Sequence, residues 1–498
     1  MVDSSSSAEQ SEALLQHDMI LVDKTVVLTL NTSSLLIVDH RKPGQSQRKY
    51  CGLFKSNPPS KTKHDISLYH ILAAEVAASS LVITYAAPSG KDAVTAAVLQ
   101  YPIVDKEKPA VTVWVNELLN LVYENALRGK RLKVLINPFG GKGTAASLYH
   151  KQAAPIFAAA QCKVDVQTTE SSGHAINIAE QLDINAYDAI VCCSGDGLPY
   201  EVFNGLGKRP NAREALAKVA VVALPCGSGN GMAWNCLGTG SVSIAALAIV
   251  KGLRTPLDLI SVTQENSRTL SFLSQSFGII ADADLGTDNI RWMGAQRFTY
   301  GFLVRLLQRT VYPCDLAIKV EIDDKNAIKD HYAAYAAREK DHLLDVSRIE
   351  AAEKSPELPE LQFGTASDPL PQDWEVVPGQ RMANFYAGNM AIMSEDTNFF
   401  PASLPGDGFM DVVTVDGTVS RMTTLQMMNE IPTGGFFSMP DVIIRKATAF
   451  RLVPHKKEGY ISIDGERIPF QAFQAEVHQG LGTILTKSGH LYEAKGPK

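Results

Sequence analysis

Long hydrophobic runs are missing from this chain of 498 residues. No stretch reaches the roughly 18 apolar residues that a membrane-spanning helix needs, so none is expected. The opening residues, MVDSSSSAEQSEALL, are Ser-rich and acidic, with no basic segment leading into an apolar one. They do not resemble a secretory signal. Position 2 is not Gly and the last residue is not Cys, so neither myristoyl nor prenyl anchoring is signalled. Excess positive charge is lacking too. Lys+Arg 47 against Asp+Glu 53 gives a net charge of -6, which speaks against a generally basic nucleic-acid binder. Cysteine is sparse: Cys51, Cys162, Cys192, Cys193, Cys226, Cys236 and Cys314 are odd in number and match no zinc spacing. That usage fits a reducing compartment. Cys192 and Cys193, inside the apolar run AIVCCSG, read as small buried hydrophobes. What remains is ordinary for a folded cytoplasmic protein, 45% hydrophobic and 20% charged. At roughly 150 residues per domain it has room for about three.

Residues 1–20 read as a disordered tail. Within 21–128, KTVVLTL, LLIVDH, YCGLF, SLVITYAA and AVTVWV are short, often β-branched runs and read as strands. NELLNLVYENALRGK follows with helical spacing of its leucines. Strands closed by one helix suggest a small pleckstrin-homology-like β domain. Its segment 41–63 carries Arg41, Lys42, Arg48, Lys49, Lys55, Lys61 and Lys63 without an acid. Such a run is either a solvated loop or a contact for anionic lipid heads, at about 1 kcal/mol per basic residue.

Residues 129–258 alternate strand and helix four times, and the strands are continuous apolar runs. That pattern predicts a doubly wound α/β domain with a covered parallel sheet. Ligands of such domains bind beyond the carboxyl ends of the strands. From 259 to 490 the pattern turns to strands joined by turns, predicting an antiparallel β-sandwich. LSFLSQSFGIIADADL is read there as strand. Residues 338–373 hold nine acids and four bases and little periodicity. They suggest an acidic, weakly ordered insertion spanning about 330–378.

Chemistry concentrates in the βα turns. In VLINPFGGKGTA, Asn137 and Pro138 end a strand and Gly140, Gly141 and Gly143 open the next element. Glycines allow close backbone approach to phosphate, and helix N-termini favour anions. The spacing is not the Walker pattern, and a tight turn alone would account for it. In CSGDGLPYEVFNGL, Asp196 stands between Gly195 and Gly197. An acid there can take a proton from a hydroxyl, or it can simply cap the helix that follows. LPCGSGNG repeats the glycine entrance with Gly227, Ser228 and Gly229. Three such turns in succession point to phosphate binding.

A glycine-lined sheet edge with one acid and no Walker lysine resembles the diacylglycerol-kinase-like catalytic domains, and most of all the sphingosine (long-chain base) kinases. NPFGGKG, SGDGLPYEVFNGL, LPCGSGNG, GIIADADLGTDNIRWMGAQRF, GDGFMDV and ISIDGERI carry the resemblance, over roughly 131–485. It implies a nucleotide-binding α/β domain, a lipid-binding β domain, and ATP with Mg²⁺ as cofactors. Asp196 is then the catalytic base, framed by Ser194, Gly195 and Gly197. The nucleotide contacts implied are Asn137, Pro138, Phe139, Gly140 and Gly141 in the first turn, and Thr169, Glu170, Ser171, Ser172 and Gly173 in the second. Glu201 adds to them, as do Gly227, Ser228 and Gly229. Arg291 and Arg297 match the two arginines the family keeps near the phosphates, a task suited to the guanidinium fork. Asp464, Gly465 and Glu466 match a returning DGE. Two departures stand out: Phe139 sits where several relatives carry a basic residue, and Cys226 replaces a small one.

The resemblance also implies the substrate. A sphingoid base carries an ammonium beside its hydroxyls, and Asp284 aligns with the acid that reads it, with Ser274 near the head group. A carboxylate about 4 Å from an ammonium gains on the order of 4 kcal/mol at an effective dielectric near 20, before desolvation. The implied reaction is γ-phosphoryl transfer from ATP to the primary hydroxyl of sphingosine, dihydrosphingosine or phytosphingosine. Diacylglycerol or ceramide on the same fold, a soluble NAD-kinase-like phosphotransferase, and a non-catalytic lipid sensor are the competing readings. The expected setting is cytoplasmic with peripheral membrane contact and no nucleic-acid partner. The metal ligands and the oligomeric state, a homodimer included, stay open.

Overall fold

A computed structural model describes residues 18–40, 63–287, 290, 296–338 and 342–498. The chain divides into two compact units. The first holds the chain up to Lys130 together with Tyr149–Lys163 and Ser241–Lys251. The second holds Arg131–Leu148, Val164–Gly240 and Gly252–Lys498.

In the first unit, strands Met19–Val22, Val26–Leu30, Ser34–Asp39 and Lys63–Ser67 form an antiparallel sheet in chain order. Alternation buries Val22, Val26, Leu28, Leu35, Ile37 and Ile66 on one face. Ile71–Ala77, Ser80–Pro88 and Val94–Pro102 make a second antiparallel sheet. AVTVWV is not a strand but the start of helix Lys108–Tyr123. Its β-branched residues mask a helical stripe, since Val111, Trp114, Val115, Leu118 and Val122 are all buried. Of the sequence expectations here, YCGLF and the basic residues from Arg41 to Lys61 lie outside the described residues; Lys63 begins a strand.

Two lysines are buried in this unit. Lys130 Nζ donates to the Val250 carbonyl at 2.7 Å. Lys251 Nζ donates to the Ile71 carbonyl at 2.6 Å and lies 4.1 Å from the centre of the Tyr123 ring. Burial first, then the charges of Lys130 and Arg128, push the Lys251 ammonium down to about 7. An unfolded lysine keeps its proton to near 10.5. Between those values the unfolded chain binds the extra proton, so stability grows with pH. The unfolding free energy is expected to rise by roughly 2 kcal/mol between about pH 7 and 9. Denaturant titrations across that range check this. Lys251→Met should flatten the slope, and an unchanged slope in the variant would refute the assignment.

In the second unit, Arg131–Ile136, Ala189–Ser194 and Ala220–Pro225 run parallel as neighbours, with Lys163–Thr168 at the edge. The strands at 189–194 and 220–225 are buried at every position, as a sheet covered on both faces requires. Their register sets Cys193 beside Ile136 and Leu224. The turns that follow therefore open side by side on one edge. The strand Phe473–Thr486 pairs parallel with Ala220–Pro225 and antiparallel with Leu253–Gln264 and Ile443–Pro454. Parallel and antiparallel parts thus share one fifteen-stranded sheet. The antiparallel core gathers Ile260, Phe277, Phe385, Phe450, Leu452 and Phe473.

Two expectations change here. IIADADL alternates like a strand but forms helix Ile279–Leu285. Gly278 turns the chain off the strand Ser274–Gly278 with φ +103°, and a Cβ there would meet the Ala383 carbonyl oxygen at 2.7 Å. The region expected to be mostly β also carries the helices Gln296–Gln308, Lys325–Ala336, His342–Lys354 and Arg421–Glu430. The acidic insertion is accordingly structured, because residues far away in sequence hold it. Glu476 accepts from the Gln362 and Phe363 amides. Arg451 donates to the Thr365 and Asp368 carbonyls, and Arg254 pairs with Asp345 at 2.7 Å.

Candidate active site

Three turns meet at the carboxyl edge of the parallel strands. Asn137 Oδ1 accepts from the Phe139 amide at 2.9 Å, which folds the first turn and leaves the Phe139 ring 76% exposed. Asn137 Nδ2 reaches Ser194 Oγ at 3.5 Å, and a Cβ on Gly140 would lie 3.0 Å from the same oxygen. The other two turns interlock through backbone. A Cβ on Gly227 would stand 2.2 Å from the Gly195 nitrogen, and one on Gly195 2.5 Å from the Gly229 oxygen. Only glycine permits that approach.

Asp196 occupies the N-cap position of helix Gly197–Gly207, yet its side chain does not cap that helix. Its carboxylate crosses to the next βα unit and accepts from the Gly231 amide at 2.8 Å and the Met232 amide at 2.9 Å. Burial raises its pKa above the ordinary aspartate value, and the two amides oppose that rise. Glu201 repeats the device. It accepts from the Gly173 amide at 2.9 Å and the Ala175 amide at 3.1 Å, clamping the entrance of helix His174–Gln181. The segment Thr169–Gly173 is thereby fixed: the Thr169 amide donates to the Ile136 carbonyl and the Glu170 amide to His174 Nδ1. Both carboxylates of Glu201 and Asp196 thus sit against helix N-termini, where negative charge is favoured.

The DGE segment plays a different part from that expected of all three residues. Asp464 and Gly465 are the two positive-φ residues of a hairpin between Ile461–Ile463 and Glu466–Ile468. The Asp464 carboxylate accepts from Ser271 Oγ at 2.6 Å and from the amides of Phe272, Leu273 and Ser274 at 2.9, 3.0 and 2.8 Å. Burial pushes this carboxyl up to about 6 against those donors. Its work is to shape the loop 271–274. Glu466 turns the other way, with Oε1 3.0 Å from where a Gly197 Cβ would lie.

Ser274 Oγ lies 3.3 Å from the Tyr386 hydroxyl, both buried. Burial, followed by the charges of Asp284, Asp464 and Asp196, raises the Tyr386 phenol. Nothing in the sequence singled out Tyr386. The two acids of ADADL separate clearly. Asp282 is held by Arg305 at 3.2 Å and the Tyr312 hydroxyl at 2.7 Å, whereas the charge of Asp284 contributes to raising the Tyr386 phenol. Arg291 lies outside the described residues, as does the side chain of Arg297, whose backbone falls in helix Gln296–Gln308. Cys192 and Cys193 are fully buried, as expected.

A mostly apolar cavity takes in Ile279, the first residue of the helix that carries Asp284. Its walls include Ile279, Ile280, Phe302, Val415, Met427 and Phe436, with Arg305, Arg309 and Arg421 among its polar lining. Among the described residues no group of three or more His, Cys, Asp or Glu side chains stands ready for a metal ion. No single helix among them is long and apolar enough to cross a membrane.

Residues 131–262 match the family described as diacylglycerol kinase catalytic domain. Residues 373–485 match the YegS C-terminal NAD kinase beta sandwich-like domain, and 18–124 a domain of unknown function. The chain is similar to sphingoid long chain base kinase 4 of Schizosaccharomyces pombe, at 35% identity over 74% of this chain and 78% of that protein. It is 34% identical to sphingoid long chain base kinase 5 of Saccharomyces cerevisiae over 76% of its length, spanning 62% of that longer protein. Human sphingosine kinase 1 is 28% identical over 70% of this chain and 88% of its own.

Proposed function

Since this chain belongs to the sphingoid long-chain base kinase family, we propose that it transfers the γ-phosphoryl group of ATP to the primary hydroxyl of a sphingoid base. The observation that carries the reading is the Asp196 carboxylate, held at both oxygens by the Gly231 and Met232 amides within the three glycine turns. Those amides orient it and favour its anionic form against the effect of burial. It takes the hydroxyl proton while the new O–P bond forms and ADP leaves. The turns at 137–141, 169–173 and 227–229 supply the backbone that faces the phosphates, and Glu201 keeps the second in shape.

Mg²⁺ bound through substrate phosphates needs only one or two protein carboxylates, and Glu466, beside Gly197, is suited to that. It would neutralise phosphate charge. The alkyl tail enters the apolar cavity beside Ile279 and Phe302. The proposal includes a cytoplasmic setting with peripheral contact to anionic lipid, supported by the basic composition of 41–63. It also includes a pleckstrin-homology-like role for the N-terminal strands, supported by two antiparallel sheets followed by a helix.

Incubation with labelled ATP, Mg²⁺ and micellar sphinganine, ceramide or diacylglycerol tests the reading. Transfer to the amine-bearing base alone is expected; transfer only to ceramide or diacylglycerol would overturn it. We assign amine recognition to Asp284, which the family resemblance aligns with the acid that reads the ammonium; Asp282 pairs with Arg305 and Tyr312. Asp284→Asn should raise the KM for the base about tenfold to a hundredfold, the range of a charge-assisted hydrogen bond, and leave the KM for ATP unchanged. Equal rises in both constants would remove Asp284 from the head-group site.

A further inference from the structure

A buried amide sits among the apolar residues Ile279, Ile280, Phe302 and Val415 of the cavity wall. Asn384 lies in strand Met382–Gly388, is 4% exposed, and lines the cavity. Its Oδ1 is buried and has no hydrogen-bond partner. Its neighbours in register are Gly278 on one side and Val415 on the other, neither of which has a side-chain donor. Gly278 contributes no side chain that could partner the amide. Buried polar atoms without partners are rare in folded proteins and call for an explanation. A leucine would continue the apolar wall with no such cost.

The position of Asn384 along the strand suggests what supplies the missing donor. Tyr386, whose hydroxyl meets Ser274 at the head-group end, is two residues away on the same strand and face. Two strand residues span about 7 Å. That separation suits a donor carried a few carbons down the chain from the reacting hydroxyl. Building on the sphingoid-base reading above, we propose that Asn384 reads a hydroxyl on the hydrocarbon chain, so that the preferred substrate is a 4-hydroxylated long-chain base. A site that buries a hydrogen-bonding group discriminates against the analogue lacking its partner, because that analogue leaves the group unpaired.

The test compares sphinganine with 4-hydroxysphinganine, which differ in that hydroxyl alone. The wild-type kcat/KM should favour the hydroxylated base by about tenfold to a hundredfold. Asn384→Leu should cut the ratio at least tenfold, by weakening use of the hydroxylated base and improving use of the plain one, with the KM for ATP unchanged. A second readout is the shift in Tm on adding each base, larger for the hydroxylated one in the wild type and equal for the two in Asn384→Leu. Asn384→Ala serves both measurements if leucine disturbs folding. Equal use of both bases by the wild type, as when a water partners the amide, overturns the inference while leaving the kinase reading intact. So does a wild-type ratio in a folded variant. Phosphorylation of neither base overturns the reading itself and the inference with it.

Discussion

Asp196→Asn is expected to lower kcat by a factor of about 10²–10⁴ while leaving ATP affinity within a few-fold of normal. The substitution keeps the shape of the side chain and removes the lone pair that receives the hydroxyl proton. It also turns one amide acceptor into a donor, which faces either the Gly231 or the Met232 N–H. The Tm of the variant separates that local cost from lost chemistry. In the wild type, burial sets the Asp196 carboxyl above the ordinary aspartate range. A base works deprotonated, so activity should fall as pH drops through that raised value, and this acid limb should vanish from the residual activity of Asp196→Asn. Near-normal turnover in the variant, with nucleotide binding intact by calorimetry, would remove Asp196 as the base.

Asp464→Ala is expected to cost about 3–5 kcal/mol of stability, because several buried donors lose their acceptor together. Ser271 Oγ and three successive amides converge on that one carboxylate, which is 3% exposed. No water-facing rotamer is on hand to relieve them. Since the loop ends in Ser274, the lipid side of the site should loosen as well. A nucleotide contact at this position would behave otherwise: the KM for ATP would rise while the Tm held. Denaturant unfolding and ATP kinetics on the same preparation decide between the two roles.

What could be read in advance follows from where the information resides. The turns at Asn137, Gly195 and Gly227 were legible because glycine and a fully buried strand are both local signals, and the register of the parallel strands does the rest. Asp196 stood out in the sequence as an acid between two glycines, but its partners did not, because the Gly231 and Met232 amides belong to the next βα unit. IIADADL misled because its alternation imitates a strand, while the turn at Gly278 is imposed by the neighbouring strand at Ala383. The order of the acidic insertion was invisible for the same reason: its anchors are Arg254, Arg451 and Glu476, remote in sequence. Asn384 and Tyr386 sit mid-strand with no motif around them, and only the fold brings Asn384 to the cavity and Tyr386 to Ser274.

The strand Phe473–Thr486 that joins the two kinds of sheet also sets a timetable for biosynthesis. During translation the strand Ala220–Pro225 leaves the ribosome roughly 250 residues before the strand that will close its edge. Until then the nascent nucleotide half carries an open strand edge, the kind that pairs with other chains. The antiparallel half waits for the same strand, since Leu253–Gln264 and Ile443–Pro454 both dock on it. The parallel and antiparallel parts are therefore completed in one late event, and a nascent chain stalled short of it exposes open strand edges of both to aggregation at once.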